Sequence, residues 1–242
     1  MSEFLPVNLP SKCLPYEGID SSNVMIRAYQ GRDEVFLAEI NPINIEQKFL
    51  QVLKNVIKGI DPELLTLGDR LYIIIWECIN SYTEVVKVKT ICTHCLHDIE
   101  VSVDLRELEV IPLPDDFKQP YEVTLPISRK IVHLRLLNTR DEIEILKFGK
   151  DNDSSLLYRY ARSIVSDKDV LERMKELENL EAKDLTTIRA FHEKFCHGPD
   201  MNAKIICPNP NCGEEGDVDV PFRLDFLFPD GKVLRESFGE GI

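Results

Sequence analysis

Two close pairs of cysteines carry the spacing in this chain most suggestive of chemistry. In "TICTHCLHD" two residues separate Cys92 from Cys95, and in "KIICPNPNCGEEG" four separate Cys207 from Cys212. A zinc ribbon takes two thiolates from each of two β-hairpin tips and sets them around one tetrahedral metal. Both tips here share a frame: an isoleucine (Ile91, Ile206) precedes the first cysteine and a polar, alternating strand follows the second. Gly213, directly after Cys212, suits the positive φ of a tight knuckle. The pattern points to one structural zinc (Zn) held by Cys92, Cys95, Cys207 and Cys212. His94 and His97 lie beside the first tip as rival ligands and are read as turn surface. A redox-active CxxC needs a strand-to-helix setting, and this one runs from strand to strand. Cys13, Cys78 and Cys196 are assigned to packing or to a partly exposed thiol. His197 beside Cys196 makes no nucleophile pair, because adjacent helical residues point apart.

About 111 residues lie between Cys95 and Cys207. Closing such a loop costs roughly 5 kcal/mol, whereas structural zinc contributes about 10–16 kcal/mol in small peptides. The metal wins, particularly if the intervening segment folds by itself. The ribbon is therefore expected to be discontinuous.

The elements that position the tips follow from periodicity. "NVMIRAY" alternates like a strand, "RDEVFLAEI" starts a helix with acids, and "IEQKFLQVLKNVI" places Phe49, Leu50, Leu53 and Ile57 on one helical face. Thr66, with Asp69 three residues on, opens a third helix whose "RLYIIIWECINSY" is apolar on nearly every side. "EVVKVKTI", "IEVSVDL", "YEVTLP" and "KIVHLRLL" read as strands. Helices are expected over residues 140–149, 154–165, 168–180 and 184–196, with a capping box in "TRDE" (Thr139, Glu142) and a cap from Ser166 with Asp169. No internal repeat stands out. The fold class expected is α+β: helical layers plus antiparallel β with a discontinuous zinc-ribbon-like four-cysteine unit. The division expected is an extended N-terminal arm (1–22), a strand and helical layer (23–82), a β region with the ribbon (83–138 and 199–228), an inserted helical block (139–198) and a C-terminal tail (229–242).

Composition narrows the function. The net charge is −13, from 29 basic and 42 acidic residues, and the basic residues are interleaved with acids. Phosphate binding needs clustered cations, so neither nucleic acid nor an anionic membrane surface is an expected partner. The start "MSEFLPVNLPSK" lacks a signal-peptide pattern, and "LYIIIW" is far too short to span a bilayer. The chain reads as soluble and made in the cytosol, where disulfides are not expected. A closed four-thiolate zinc has no open coordination position, and no nucleophile elbow, phosphate loop or metalloprotease motif occurs, so catalytic and cofactor-binding residues are expected to be absent.

The order of motifs is more specific than any one of them. "LPSKCLPY", "IRAYQGRDEVFLAEI", "LTLGDRLYIIIWECINSY", "CTHC", "VTLPISRKIVHLRLL" and "HGPDMNAKIICPNPNCGEEGDVDVPFRLDFLFP" together resemble the baseplate hub assembly proteins of contractile-tailed bacteriophages. The resemblance covers nearly the whole chain. It implies a non-enzymatic structural or assembly component of the virion tail, made in the host cytoplasm. Its implied partners are other baseplate, hub or tail proteins, in multiple copies within a symmetric assembly. In such a setting the arm (Phe4, Leu5, Val7, Leu9) and the tail (Phe222, Phe226, Phe228) are expected to be contact surfaces. The alternative from another class is a nucleic-acid-binding zinc-ribbon accessory protein. It would need basic knuckles, and these carry Asp98, Glu100, Glu214, Glu215 and Asp217.

Overall fold

The computed structural model describes residues 3–40, 44–149 and 155–221. Their elements are, in chain order, β1 (Leu5–Pro6), β2 (Met25–Ile26), α1 (Gly31–Ala38), α2 (Ile45–Val56), β3 (Ile57–Lys58), α3 (Leu67–Ser81), β4 (Val85–Ile91), β5 (Asp98–Asp104), β6 (Val110–Ile111), β7 (Tyr121–Thr124), β8 (Ile131–Leu134), α4 (Thr139–Gly149), α5 (Ser155–Ser163), α6 (Val170–Glu178), α7 (Ala182–Lys194), β9 (Gly198–Pro199), β10 (Asn202–Ile206) and β11 (Glu215–Asp219). The class is α+β, with small antiparallel sheets among the helices. The tail phenylalanines Phe222, Phe226 and Phe228 lie outside the described residues.

The first core gathers α1, α2 and α3. Helix α2 buries Phe49, Val52, Leu53 and Val56, the stripe its helical period dictates. Ile57, placed on that face by the sequence pattern, belongs instead to β3 and pairs with Ile26 of β2. Helix α3 is central: Ile73, Ile74, Ile75, Glu77 and Cys78 are all buried. The inner faces of the two ribbon hairpins join the same core through Val88, Ile99, Val101, Val103, Ala203 and Val218.

The second half rebuilds the first around the same contacts, a repeat not expected from the sequence. One unit runs along β1, turns after Leu9 and returns along β2; the other runs along β7, turns after Leu125 and returns along β8. Each turn closes on its leucine carbonyl, with Lys12 N–H to Leu9 O at 2.8 Å and Arg129 N–H to Leu125 O at 3.1 Å. Each returning strand leads into an arginine six residues ahead of an aspartate, third in the following helix. Arg27 clamps Asp33 through two bonds of 2.7 and 3.1 Å, and Arg135 clamps Asp141 through two of 2.5 and 2.9 Å. The same arginines donate to the next carbonyl, Ala28 O and Leu136 O. After the second helix the chain returns beside the strand: Arg27 N–H reaches Val56 O at 3.0 Å, and Arg135 N–H reaches Ser163 O at 2.9 Å. The last helix of each unit then grips that unit's own turn. Asp69 of α3 accepts from Ser11 N–H, and Asp184 of α7 accepts from Ile127 and Ser128 N–H.

Several local expectations change accordingly. Helix α4 is capped by Asn138, which exchanges two bonds with Asp141, rather than by Thr139 with Glu142. Helix α6 is capped by Asp169 with Glu172, and Ser166 lies outside the cap. The β7–β8 hairpin, grouped with the ribbon by sequence, shares its core with α5, α6 and α7 through Leu125, Leu134, Ala161, Leu177 and Ile188. The N-terminal arm is built into its own domain: Val7, Leu9, Cys13 and Tyr16 are buried in the first core, leaving Leu5 exposed. Apolar side chains that close to α3 are covered by the chain itself and are not left for a partner. Removing residues 2–15 would therefore open the core.

Two glycines let the second unit hand the chain back to the ribbon. Gly68, in the first turn of α3, and Gly198, in β9, cross in contact. A Cβ on Gly68 would lie 2.1 Å from His197 O, and one on Gly198, whose φ is +104°, 2.6 Å from Gly68 O. His197 Nε2 meets Thr66 Oγ1 at 2.7 Å beside this crossing. β9 pairs with β6, and the chain passes directly into β10, which carries Cys207 to its place.

Gly68→Ala is expected to destabilise the protein by about 1–3 kcal/mol in chemical denaturation, because backbone, not a flexible side chain, occupies the space. A second outcome concerns Glu77, which has no exposure. Burial pushes its carboxyl up to about 8, so the folded state holds a proton that the unfolded chain releases from about pH 4.5 upward. Its contribution is complete below the unfolded value and is lost as pH rises through the folded one. The unfolding free energy should therefore fall between pH 5 and 8 more steeply in the native protein than in Glu77→Gln, by at most about 1.4 kcal/mol per pH unit. Parallel curves for the two proteins would refute this.

Candidate metal centre

Each cysteine pair sits on a hairpin whose register presents the sulfurs to the other. β4 and β5 pair from Val85 opposite Asp104 to Ile91 opposite Asp98, and β10 and β11 pair from Asn202 opposite Asp219 to Ile206 opposite Glu215. The first knuckle closes with Cys92 N–H to His97 O at 3.0 Å and Leu96 N–H to Cys92 O at 2.9 Å. The second closes with Cys207 N–H to Glu214 O at 2.9 Å and Gly213 N–H to Asn209 O at 3.2 Å. The residue after the second cysteine has positive φ in both, 58° at Leu96 and 66° at Gly213.

The four sulfurs of Cys92, Cys95, Cys207 and Cys212 lie within 4.8 Å of one another. Cys92 Sγ is 3.9 Å from Cys212 Sγ, and Cys95 Sγ is 3.8 Å from Cys207 Sγ. A tetrahedral ion with sulfur at about 2.3 Å sets its ligands roughly 3.8 Å apart, so the group could hold a metal ion. Cys92 and Cys207 are buried, while Cys95 and Cys212 are half-buried. The thiols do not ionise alike. The His97 amide holds the Cys95 thiol down to about 6. At Cys207 the Asn209 amide favours the thiolate, but burial and the adjoining thiols outweigh it and push the group up to about 12. Four crowded sulfurs thus resist carrying four negative charges by themselves, and a cation at their centre removes that resistance.

Neither rival histidine is part of the sulfur cluster. His94 Nε2 meets Glu215 O at 3.1 Å, which ties the two tips together, and His97 Nδ1 meets Cys95 O at 2.9 Å. Asn209, not singled out by sequence, bridges the knuckles by donating to Cys95 Sγ at 3.6 Å. Its signal was its place in a short proline-bounded loop, where Asn commonly bonds nearby backbone. The other thiols are remote in character. Cys13 and Cys78 are buried, and burial raises each to about 11; Cys196 is exposed. Among the described residues no other His, Cys, Asp or Glu group has metal-holding geometry, and no helix is long and apolar enough to cross a membrane.

Fold and site together define a two-unit α+β protein tied by a discontinuous four-cysteine ribbon. The family described as T4 bacteriophage base plate protein has a model that matches residues 14–228, from just after the opening strand and turn of the first unit through both knuckles, and the chain belongs to that family. No curated protein and no solved structure matches it.

Proposed function

We propose that this chain is a non-enzymatic structural component of a contractile-tail baseplate, placed in the hub region and present in several copies, with one structural zinc on Cys92, Cys95, Cys207 and Cys212. Membership of the base plate family across nearly the entire length carries this reading. Three features support it. The only metal-holding cluster among the described residues has four sulfur donors, a set that favours zinc and leaves no coordination position for substrate. One large core joins the first unit to the ribbon, and the other packs the second unit. The knuckles carry Asp98, Glu214, Glu215 and Asp217 within a chain of net charge −13, which opposes phosphate. The role is that of a rigid connector between neighbouring tail proteins, in the virion tail, without nucleic acid or membrane as partner.

Elemental analysis of the purified protein should find close to one zinc per chain. Cys207→Ser should lose it and loosen the ribbon, while most of the helical signal persists because α5, α6 and α7 pack in a core without ribbon residues and α2 and α3 bury many contacts with each other and with the N-terminal segment. Protein without bound metal, or a Cys207→Ser variant that keeps it, would refute the zinc assignment. Gel shift at physiological salt should show no complex with DNA or RNA; a salt-sensitive micromolar complex would favour the nucleic-acid-binding alternative.

A further inference from the structure

A groove of about 540 Å³ runs where the two units meet, between Thr66, Leu67 and Gly68 at the start of α3 and residues of α5 and α7. Leu136, Leu137, Tyr160 and Phe195 are its buried apolar lining, and Leu156 adds an apolar side chain that is 58% exposed. The polar lining is incomplete. His192 Nε2 is buried without a hydrogen-bond partner, and burial holds the imidazole down to about 4, so the ring is neutral at pH 7. Arg189 and Glu193 stand exposed one turn apart on α7, a spacing at which opposite charges commonly pair. Neither side chain has a partner among the described residues. Arg159, the other charged lining residue, is engaged by Glu142.

The last described stretch of chain heads toward this groove. β11 runs antiparallel to β10, from the knuckle back toward β9, and Val220 N–H meets Met201 O at 2.8 Å. Met201 lies three residues past Gly198, whose backbone crosses Gly68 at the groove. Residues 222–228, which follow, read "FRLDFLF". An extended segment of that sequence places Phe222, Leu224, Phe226 and Phe228 on one face, with Arg223 and Asp225 about 6.7 Å apart on the other. Glu193 and Arg189 are separated by a helical rise of about 6 Å. The order matches as well: Glu193 is nearer the end of α7 that leads to Gly198, and Arg223 is nearer Pro221.

We propose that residues 222–228 of this same chain occupy the groove, antiparallel to α7, with Arg223 against Glu193, Asp225 against Arg189 and the phenylalanine face on the apolar lining. The volume is of the size that buries a group of a few rings elsewhere. A main-chain amide or carbonyl of the segment supplies the partner that His192 Nε2 lacks. The segment is then a clasp from the last strand of the ribbon to the second unit, made by the chain alone.

The isolated full-length protein tests this. A photo-crosslinking residue in place of Phe226 should react within its own chain, with α5, α7 or residues 136 and 137, and the product should run as a monomer on a denaturing gel. Asp225→Arg and Arg189→Asp should each lower that yield roughly twofold to fivefold, the range of an exposed ion pair, and the double variant should recover it. Crosslinks only to a second copy, only to other surfaces, or none would overturn the proposal, as would a double variant no better than the single ones. Because no partner protein is added, such a failure would leave the baseplate reading untouched.

Discussion

Buried carboxylates at helix starts are the constraint on which this structure depends. Asp33, Asp69, Asp141 and Asp184 each stand third in a helix, and none is more than 1% exposed. A carboxylate in that place is favoured by the helix dipole, but burying it without partners is prohibitive. Each therefore recruits donors from another stretch of chain. Asp33 and Asp141 take an arginine from the strand before them, and Asp141 takes Arg162 from α5 as well. Asp69 takes Ser11 N–H at 2.9 Å and Tyr16 O–H at 2.5 Å, and Asp184 takes two turn amides. Removing one partner of such a pair leaves an uncompensated charge, so the contacts act as an all-or-none specification of how strand, turn and helix meet.

The same economy of polar groups places the ribbon. Thr66 caps α3, receives Tyr16, and touches His197 at the far end of the second unit. His197 is fixed in turn by Phe195 O at its other ring nitrogen. Together with the Gly68–Gly198 crossing, this network holds the end of the second unit against the start of α3. The entropy of closing the loop between the cysteine pairs is thus met largely by packing and hydrogen bonds of the second unit, and the sulfurs meet because the cores bring them there. A metal ion held there would act on the ionisation of the four crowded thiols.

Much of this was legible as local pattern. The stripe Phe49, Leu53 in α2, the cap at Thr66, the alternating strands around Cys92 and Cys95, and the helices from residue 139 onward all follow from periods and caps that depend on neighbouring residues alone. The repeat was not legible, because its two copies share a skeleton of contacts more than a sequence. Arg27 to Asp33 and Arg135 to Asp141 have equal spacing, but the residues between them differ, and the second unit carries α6 as an addition. The arm misled for a related reason: prolines forbid regular hydrogen bonding there, and composition alone does not say that α3 supplies the carboxylate which the irregular backbone needs.

The sequence by itself determined the residue types that make each element and the four thiols able to share a metal. Hydrophobic period, capping side chains and thiol chemistry are properties of short segments, so they are written in order along the chain. Only the tertiary structure decided which distant segments complete one another. It set Ser11 and Tyr16 against Asp69, Gly198 against Gly68, and Cys95 at 3.8 Å from Cys207. It also left Leu96 in solvent on a strained backbone. Those outcomes rest on the satisfaction of buried charge and on excluded volume between residues far apart in the chain. Such conditions have no periodicity, and they are met only when the whole fold is in place.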